Sequence, residues 1–322
     1  MNLLITGANG FIGKALTRRL LSETTPLPAG LSPVARLTLM DLEFEGEERP
    51  RVRRLSGSIA DPALLARAFD TPIDVVFHLA SIPGGMAEQH YELGRQINVD
   101  ATIRLLETAR AQTDASAKAP VFVFASSIAV LGSALPARVD DATPLHPKLS
   151  YGAQKLIGEI LAEDFDRRGW VKARSLRLPG VVARPPQRTG QLSAFMSDII
   201  REPAEGRSYA CPVAADSTTW LMSIHCIVDN LLHAAALSSE ACEDVRAWTL
   251  PALCPSMAEL VDAVAEVYGG DVRGRVSYGS DPKLEANFGR YPPLSTPAAD
   301  AAGFHHDGDL PTLVRRALLP IV

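Results

Sequence analysis

Tyr151 and Lys155 stand four residues apart in "SYGAQKLIGEIL", residues 150–161, a stretch with the apolar spacing of an amphipathic helix. That spacing puts both side chains on one helix face. A tyrosine near pKa 10 is a poor base at neutral pH. A neighbouring ammonium and a positively charged nicotinamide would favour the phenolate and pull the phenol toward neutrality. The run "VFVFASS" ends in Ser126 and Ser127, the latter 24 residues upstream of the tyrosine. Tyr151 as general base, Lys155 as electrostatic support and ribose ligand, and Ser127 as donor to the substrate oxygen would together oxidise a CH–OH group. YxxxK alone is a frequent accident, so this chemistry needs a cofactor site in the same chain.

"TGANGFIG" supplies a candidate, with Gly7, Gly10 and Gly13 between the apolar run "NLLIT" and a helical pattern. The first glycine permits a tight turn, the second lets backbone approach a pyrophosphate, and the third allows helix to pack closely on strand. The helix N-terminus offers free N–H groups and a positive dipole end to the anion. The spacing is GxxGxxG rather than GxGxxG. Asp41, ending "LTLMD", stands where a carboxylate accepts from the adenosine ribose hydroxyls and repels a 2′-phosphate. The acidic "EFEGEE" beyond it brings no arginine, which favours NAD over NADP. An aspartate that only starts a turn is the plainer reading.

These residues need a scaffold that brings them to one edge. Apolar runs of four to six residues alternate with helical patterns through the first 180 residues, which predicts an α/β fold with buried parallel strands in a Rossmann-type doubly wound sheet. The Pro-, Ser- and Thr-rich stretch 22–35 reads as a loop before the second strand. After residue 180 the alternation fades into a loop at 184–191 and helices near 192–202, 224–238 and 257–269. The expected organisation is an NAD-binding domain over 1–180 that includes the catalytic helix. A smaller, mostly helical substrate-binding part follows over 181–322, with about 223–238 packing back on the sheet.

Composition narrows the partners. With 47% apolar and 21% charged residues and a formal net charge of −5, the chain reads as globular with no electrostatic footprint for nucleic acid or an acidic membrane. A small-molecule substrate is expected. No basic or strongly apolar leader precedes "LLITGANGF" and no apolar run reaches about 18 residues, so a cytoplasmic location is expected. Cys211, Cys226, Cys242 and Cys254, spaced 15, 16 and 12 apart, fit neither a metal pair nor a disulfide framework. They read as plain thiols, with Cys211 a candidate neighbour of a substrate pocket. His305 and His306 lack a third ligand at a convincing spacing, so no metal is assigned.

Taken in order, "TGANGFIG", "MDLE", "FHLAS", "NVDAT", "FASSIAV", "SYGAQK" and "LRLPGVV" resemble the extended short-chain dehydrogenase/reductase superfamily over nearly the whole chain. The resemblance implies that Phe11 and Ile12 meet the pyrophosphate, Leu79 and Ala80 flank the cofactor, and Asn98 lies near the nicotinamide ribose. It also implies that Leu178 and Pro179 wall the nicotinamide. In "SGSIAD", Ser58 stands where the superfamily has Asp before Ile59; the contact to the adenine amino group is thereby in doubt, while a backbone contact from Ile59 survives.

Fold alone does not choose the reaction. Dehydratases of the superfamily carry an acidic residue after the catalytic serine, where this chain has Ile128 and Ala129. Nucleotide-sugar enzymes show an asparagine where this chain has Gly180, and "PGGMAEQHYELG" offers no obvious uridine platform. Further on, "LRLPGVVARP", "SAFMSDIIREPAEG", "CPV" and "TTWLMS" are similar to the D-erythronate dehydrogenases, which oxidise a four-carbon sugar acid at carbon 2. Uronate dehydrogenases and a nucleotide-sugar epimerase with tightly held NAD are the alternatives among enzymes. A non-catalytic NAD-sensing scaffold is the alternative outside them, and it would have lost the tyrosine or the lysine.

A sugar acid needs a cation for its carboxylate, and Arg184 is the first candidate; a surface ion pair is its plainer role. Ser81 is a candidate substrate contact. Gly84-Gly85 could add backbone contacts over the active site, or be a flexible turn. Trp220 closes the pocket or lies in the core, and His225 reads as packed or exposed. The resemblance implies a homodimer through the helices beside the active-site strand.

Overall fold

In the computed structural model, which describes residues 1–44, 49–186, 192–242 and 245–320, each early apolar run becomes a strand and each amphipathic stretch a helix. The order is β1 (Asn2–Thr6), α1 (Phe11–Leu21), β2 (Arg36–Asp41), β3 (Val52–Ser56), α2 (Pro62–Ala68) and β4 (Val75–His78). Next come α3 (Gly84–Gln89), α4 (Tyr91–Arg95), a π-helical turn at Gln96–Asp100, α5 (Ala101–Ser116), β5 (Val121–Ser127), α6 (Ser150–Arg167) and β6 (Lys172–Leu178). Residues 22–35 form the expected connection without helix or strand.

Among the described residues the main sheet has seven strands, all parallel, in the order β3-β2-β1-β4-β5-β6 followed by a seventh, β10 (Ala247–Thr249). This is the Rossmann-type doubly wound sheet, and its strand order reverses between β1 and β4. Ligands in such sheets bind outside the carboxyl ends of the strands at that reversal. Successive residues of a strand face opposite ways, so Leu3 and Ile5 enter the core under α1 while Leu4 enters the one under α2, α5 and α6.

The second half departs from a simple cap. Short strands β7 (Gly180–Val182), β8 (Tyr209–Cys211) and β9 (Leu221–Ser223) alternate with α7 (Phe195–Ala204) and α8 (Ile224–Ala236). α8 packs against β5, β6 and α1, covering one face of the main sheet. β10 then extends that sheet past residue 180 by pairing with β6. The remaining elements are α9 (Met257–Tyr268), β11 (Val276–Tyr278), α10 (Pro282–Phe288), α11 (Pro297–Ala301) and α12 (Leu310–Leu318). A separate apolar core joins α7, α9 and α12. Residues 187–191 of the expected loop and 45–48 of the acidic stretch lie outside the described residues. No helix among the described residues is long and apolar enough to cross a membrane.

Candidate active site

One cavity of about 390 Å³ runs from the turn after β1 to the segment after β7, lined at one end by Gly7, Gly10, Phe11, Ile12 and Gly13 and at the other by Arg184. Its first end is built from backbone. Gly7 has φ +70°, and a Cβ on it would lie 2.7 Å from the Ala80 nitrogen, so both conformation and space demand glycine. At Gly13 a Cβ would lie 2.2 Å from the Gly7 carbonyl oxygen, so α1 starts hard against the turn. No side chain caps the N-terminus of α1, whose first residues face the cavity. Free N–H groups and the helix dipole there suit an anion, and the donor set fits the pyrophosphate of a dinucleotide.

Asp41 ties this turn together, its carboxylate accepting from the Asn9 N–H at 2.8 Å and the Leu42 N–H at 2.7 Å. Each oxygen keeps a lone pair for a ribose hydroxyl. Leu79, Leu178 and Pro179 line the cavity as expected of cofactor walls. Ala80 sits behind the turn, its N–H donating to the Thr6 hydroxyl at 3.3 Å.

Ser58, Ile59 and Asn98, like Asp41 and Ala80, do not line the cavity. The Ser58 hydroxyl accepts from the Ala60 N–H at 3.1 Å within its own turn. Ile59 is buried in the core under α2 and α5. Asn98 donates to the Ile82 carbonyl at 3.0 Å and to the Gln154 side chain at 2.7 Å, and accepts from the Ile82 N–H at 2.7 Å. Both its amide hydrogens are thus engaged inside the protein, and it anchors the loop that presents Ser81 instead of reaching a ribose. Its backbone carbonyl also accepts from the Thr102 hydroxyl at 2.9 Å, and the buried His78 ring bonds the Thr102 and Thr6 hydroxyls at 2.8 Å each. Burial holds that imidazole neutral, its pKa pushed down to about 3, with Lys155 adding repulsion.

The candidate catalytic residues converge at the carboxyl end of β5. Tyr151, Lys155 and Ser127 all line the cavity, Tyr151 from the first turn of α6. Gly152 brings that turn in, since a Cβ there would lie 2.4 Å from the Ala129 carbonyl oxygen. The Ser81 and Ser127 hydroxyls lie beside the Tyr151 phenol in the cavity lining and favour its ionised form. Burial outweighs them and raises the phenol above its ordinary value.

The cation that favours the phenolate is Arg184, where the sequence pointed to Lys155. Lys155 is spent differently: it is buried, donates to the Ala125 carbonyl at 2.8 Å and lies 5.7 Å from the centre of the Tyr151 ring. Burial lowers its pKa to about 7 despite the opposing charge of Glu159.

The far end of the cavity is built from side chains of distant segments. Arg184 follows β7, its N–H donating to the Ser197 hydroxyl at 2.9 Å. Ser193, Met196, Thr219, Phe288 and Tyr291 complete this end. Met196 and Thr219 lie in segments that had signalled a substrate side, but Phe288 and Tyr291 carry no signal in the sequence. The Tyr291 ring packs at a tilt against Trp220, centroids 4.8 Å apart, and Trp220 is fully buried and donates to the Pro292 carbonyl at 2.8 Å. Trp220 therefore backs the pocket wall without lining it. Gly84 and Gly85 open helix α3 and line the cavity, so they are not a flexible turn. Cys211 is buried in the core of α7, α9 and α12, away from the cavity. His225 bonds the Arg316 carbonyl at 2.6 Å.

Comparison with known proteins finds relatives along nearly the whole chain. Residues 3–238 match the NAD dependent epimerase/dehydratase family. The chain is 40% identical to the D-erythronate dehydrogenase of Cupriavidus necator over 319 residues, covering 98% of this chain and 97% of that one. It is 29% identical to the D-erythronate dehydrogenase of Haemophilus influenzae, covering 98% of each. The crystal structure of the nucleoside-diphosphate-sugar epimerase from Agrobacterium tumefaciens superposes with a TM-score of 0.89 at 30% identity, covering 98% of this chain and 92% of that one.

Proposed function

Because the chain belongs to the NAD dependent epimerase/dehydratase family, we propose that it is an NAD-dependent dehydrogenase of a small sugar acid. The substrate we infer is D-erythronate, oxidised at carbon 2 to 2-oxo-tetronate. The observation that carries this reading is the shared cavity of Tyr151 and Arg184, in which the guanidinium acts on the phenol. In a 2-hydroxy acid the carboxylate is one bond from the reacting carbon, so a cation close to the base can also hold the carboxylate. Gly180 adds support against a nucleotide sugar: a Cβ there would lie 2.9 Å from the Trp220 carbonyl oxygen, which leaves no room for an asparagine. Ile128 and Ala129 line the cavity with apolar groups where an elimination would need an acid.

NAD, when bound, supplies the nicotinamide carbon that takes the hydride. The α1 end and the turn at Gly7 hold its pyrophosphate, Asp41 its adenosine ribose, and Lys155 the ribose next to the nicotinamide. Arg184 orients the substrate carboxylate, and Ser127 and Ser81 bond the oxygen on carbon 2. Tyr151 accepts the proton of that hydroxyl as the carbonyl forms. Its neutral form dominates near pH 7, so the Arg184 charge and the two serine hydroxyls set how much phenolate is present. In this reading residues 1–180 hold the cofactor and 181–322 supply the substrate wall, with α8 and β10 returned to the sheet.

We further propose a homodimer through α6, on whose outer face Ile157 and Ile160 stay 42% and 59% exposed. Light scattering of the purified chain reads this directly. For the activity, NADH formation is measured with D-erythronate, other aldonates, uronates and nucleotide sugars. Turnover of D-erythronate is expected, and none with any sugar acid would refute the substrate assignment. Consumption of a nucleotide sugar without NADH release would favour an epimerase.

A further inference from the structure

A charge cluster that the proton transfer does not use lies behind the strand end carrying Ser127. Glu159 stands on α6 four residues past Lys155 and eight past Tyr151, so the three share one helix face. α6 lies close on β5 because Gly158 gives it room: a Cβ there would lie 2.5 Å from the Phe124 ring. Glu159 is buried and forked by Arg177 of β6, whose Nε lies 3.1 Å from both carboxylate oxygens and whose Nη2 lies 2.8 Å from one. The Ser126 hydroxyl donates to the same carboxylate. Ser126 precedes Ser127, and Ala125, which accepts from Lys155, precedes Ser126.

A buried ion pair gives little net stability over apolar residues of similar volume. The place of this pair, one helical turn beyond a buried lysine, asks for another account. The groups facing Lys155 are Tyr151 and Glu159 on its own helix, the neutral His78 on β4 and the Ala125 carbonyl on β5, with Arg177 of β6 beyond Glu159. Glu159 is the one among them whose charge favours the ammonium.

We propose that Glu159, held by Arg177 and Ser126, is a positioning residue for this reaction, serving as the counter-charge of Lys155 and bracing the strand end that carries Ser127. The inference rests on Lys155 as a ligand of the cofactor ribose, which holds best as an ammonium. NAD affinity of the full chain is therefore measured across pH by calorimetry, alongside kcat/KM.

In the unmutated protein affinity should weaken as pH rises through about 7, where Lys155 loses its proton. Glu159→Gln removes the counter-charge and leaves that of Arg177, so the weakening should begin about one pH unit lower. Arg177→Met leaves Glu159 uncompensated, so it should begin higher. A pair that only supports the fold would lower affinity equally at every pH in both variants, and that result would overturn the inference. A flat profile in the unmutated protein would overturn the role of Lys155 itself, and the inference with it. Should a single variant not fold, Glu159→Gln with Arg177→Met removes both members of the ion pair together, so neither is left buried without the other. In that double variant the onset should still fall, because Glu159 is the nearer charge; an unmoved onset would overturn the inference.

Discussion

The two ends of the cavity are made from different materials. At the end proposed for the cofactor the lining includes one contiguous stretch, Gly7 and Gly10 to Gly13, in which Gly7 and Gly13 have no room for a side chain. At the end proposed for the substrate the lining residues include Ser81, Arg184, Met196, Thr219, Phe288 and Tyr291, spread over some two hundred positions of sequence. A backbone cradle recognises what every dinucleotide shares. Side chains can be exchanged one at a time, so the substrate end is where related enzymes can diverge without losing the cofactor.

Tyr151 sits where the two ends meet, and Tyr151→Phe should give the largest effect. Turnover should fall by about a thousandfold while NAD affinity stays within about twofold; turnover near that of the unmutated protein would remove the tyrosine from the chemistry. At the backbone end, Gly7→Ala places a methyl group 2.7 Å from the Ala80 nitrogen at φ +70°. NAD binding, followed by calorimetry, should weaken about a hundredfold with some loss of stability. Unchanged NAD binding would mean that the turn does not hold the cofactor.

Arg184→Gln should spare NAD binding and lower kcat/KM for D-erythronate by roughly thirtyfold. It should also move the rise of activity with pH to higher pH, because the Arg184 charge lowers the Tyr151 pKa. A loss of kcat/KM with an unmoved profile would make Arg184 a carboxylate ligand only. Tyr291→Phe tests the wall. The Tyr291 hydroxyl has no hydrogen bond to the described residues, and burial raises the phenol to about 12, so it stays a donor. KM for a polyhydroxy acid should rise about fivefold with kcat kept, and equal loss with a substrate lacking the distal hydroxyls would reduce Tyr291 to packing.

The smallest effect is on stability. His78 has a folded pKa near 3 against an ordinary 6.5, so between those values the unfolded chain binds the proton. The sign is fixed: stability is present above about 6.5 and falls as pH drops through the window. Urea midpoints at pH 7 and pH 5 should differ less in His78→Asn than in the unmutated protein.

The same contrast explains what the sequence showed. β1, β2, β4 and β5 were legible because each is an apolar run long enough to stand out beside a helical period, while β3, "VRRLS", was read from its place in the alternation. β10 is three residues, "AWT", and becomes a strand only because the edge of β6 offers partners. Gly7, Ser127 and Tyr151 sit in local patterns tied to a turn or a helix face. Phe288 and Tyr291 reach the cavity only through tertiary packing, α10 being held by Glu285, whose carboxylate accepts from Ser217 at 2.8 Å. Asn98 shows the converse: its segment fitted a pattern, but its amide is consumed by neighbours that no spacing reveals. The same holds for Lys155, whose distance from Arg184 in the chain hid which cation acts on the phenol.

The return of α8 and β10 to the main sheet bears on how the chain folds and survives. The cofactor half cannot complete itself as it leaves the ribosome, because the cover for one face and the partner for one edge arrive more than forty residues after β6 ends. A fragment stopping at residue 180 would expose the backbone row of β6 and the apolar residues beneath α8, which invites aggregation. Substrate wall and cofactor cradle should therefore melt together, and a protease that opens the α7 region should forfeit NAD binding as well as turnover.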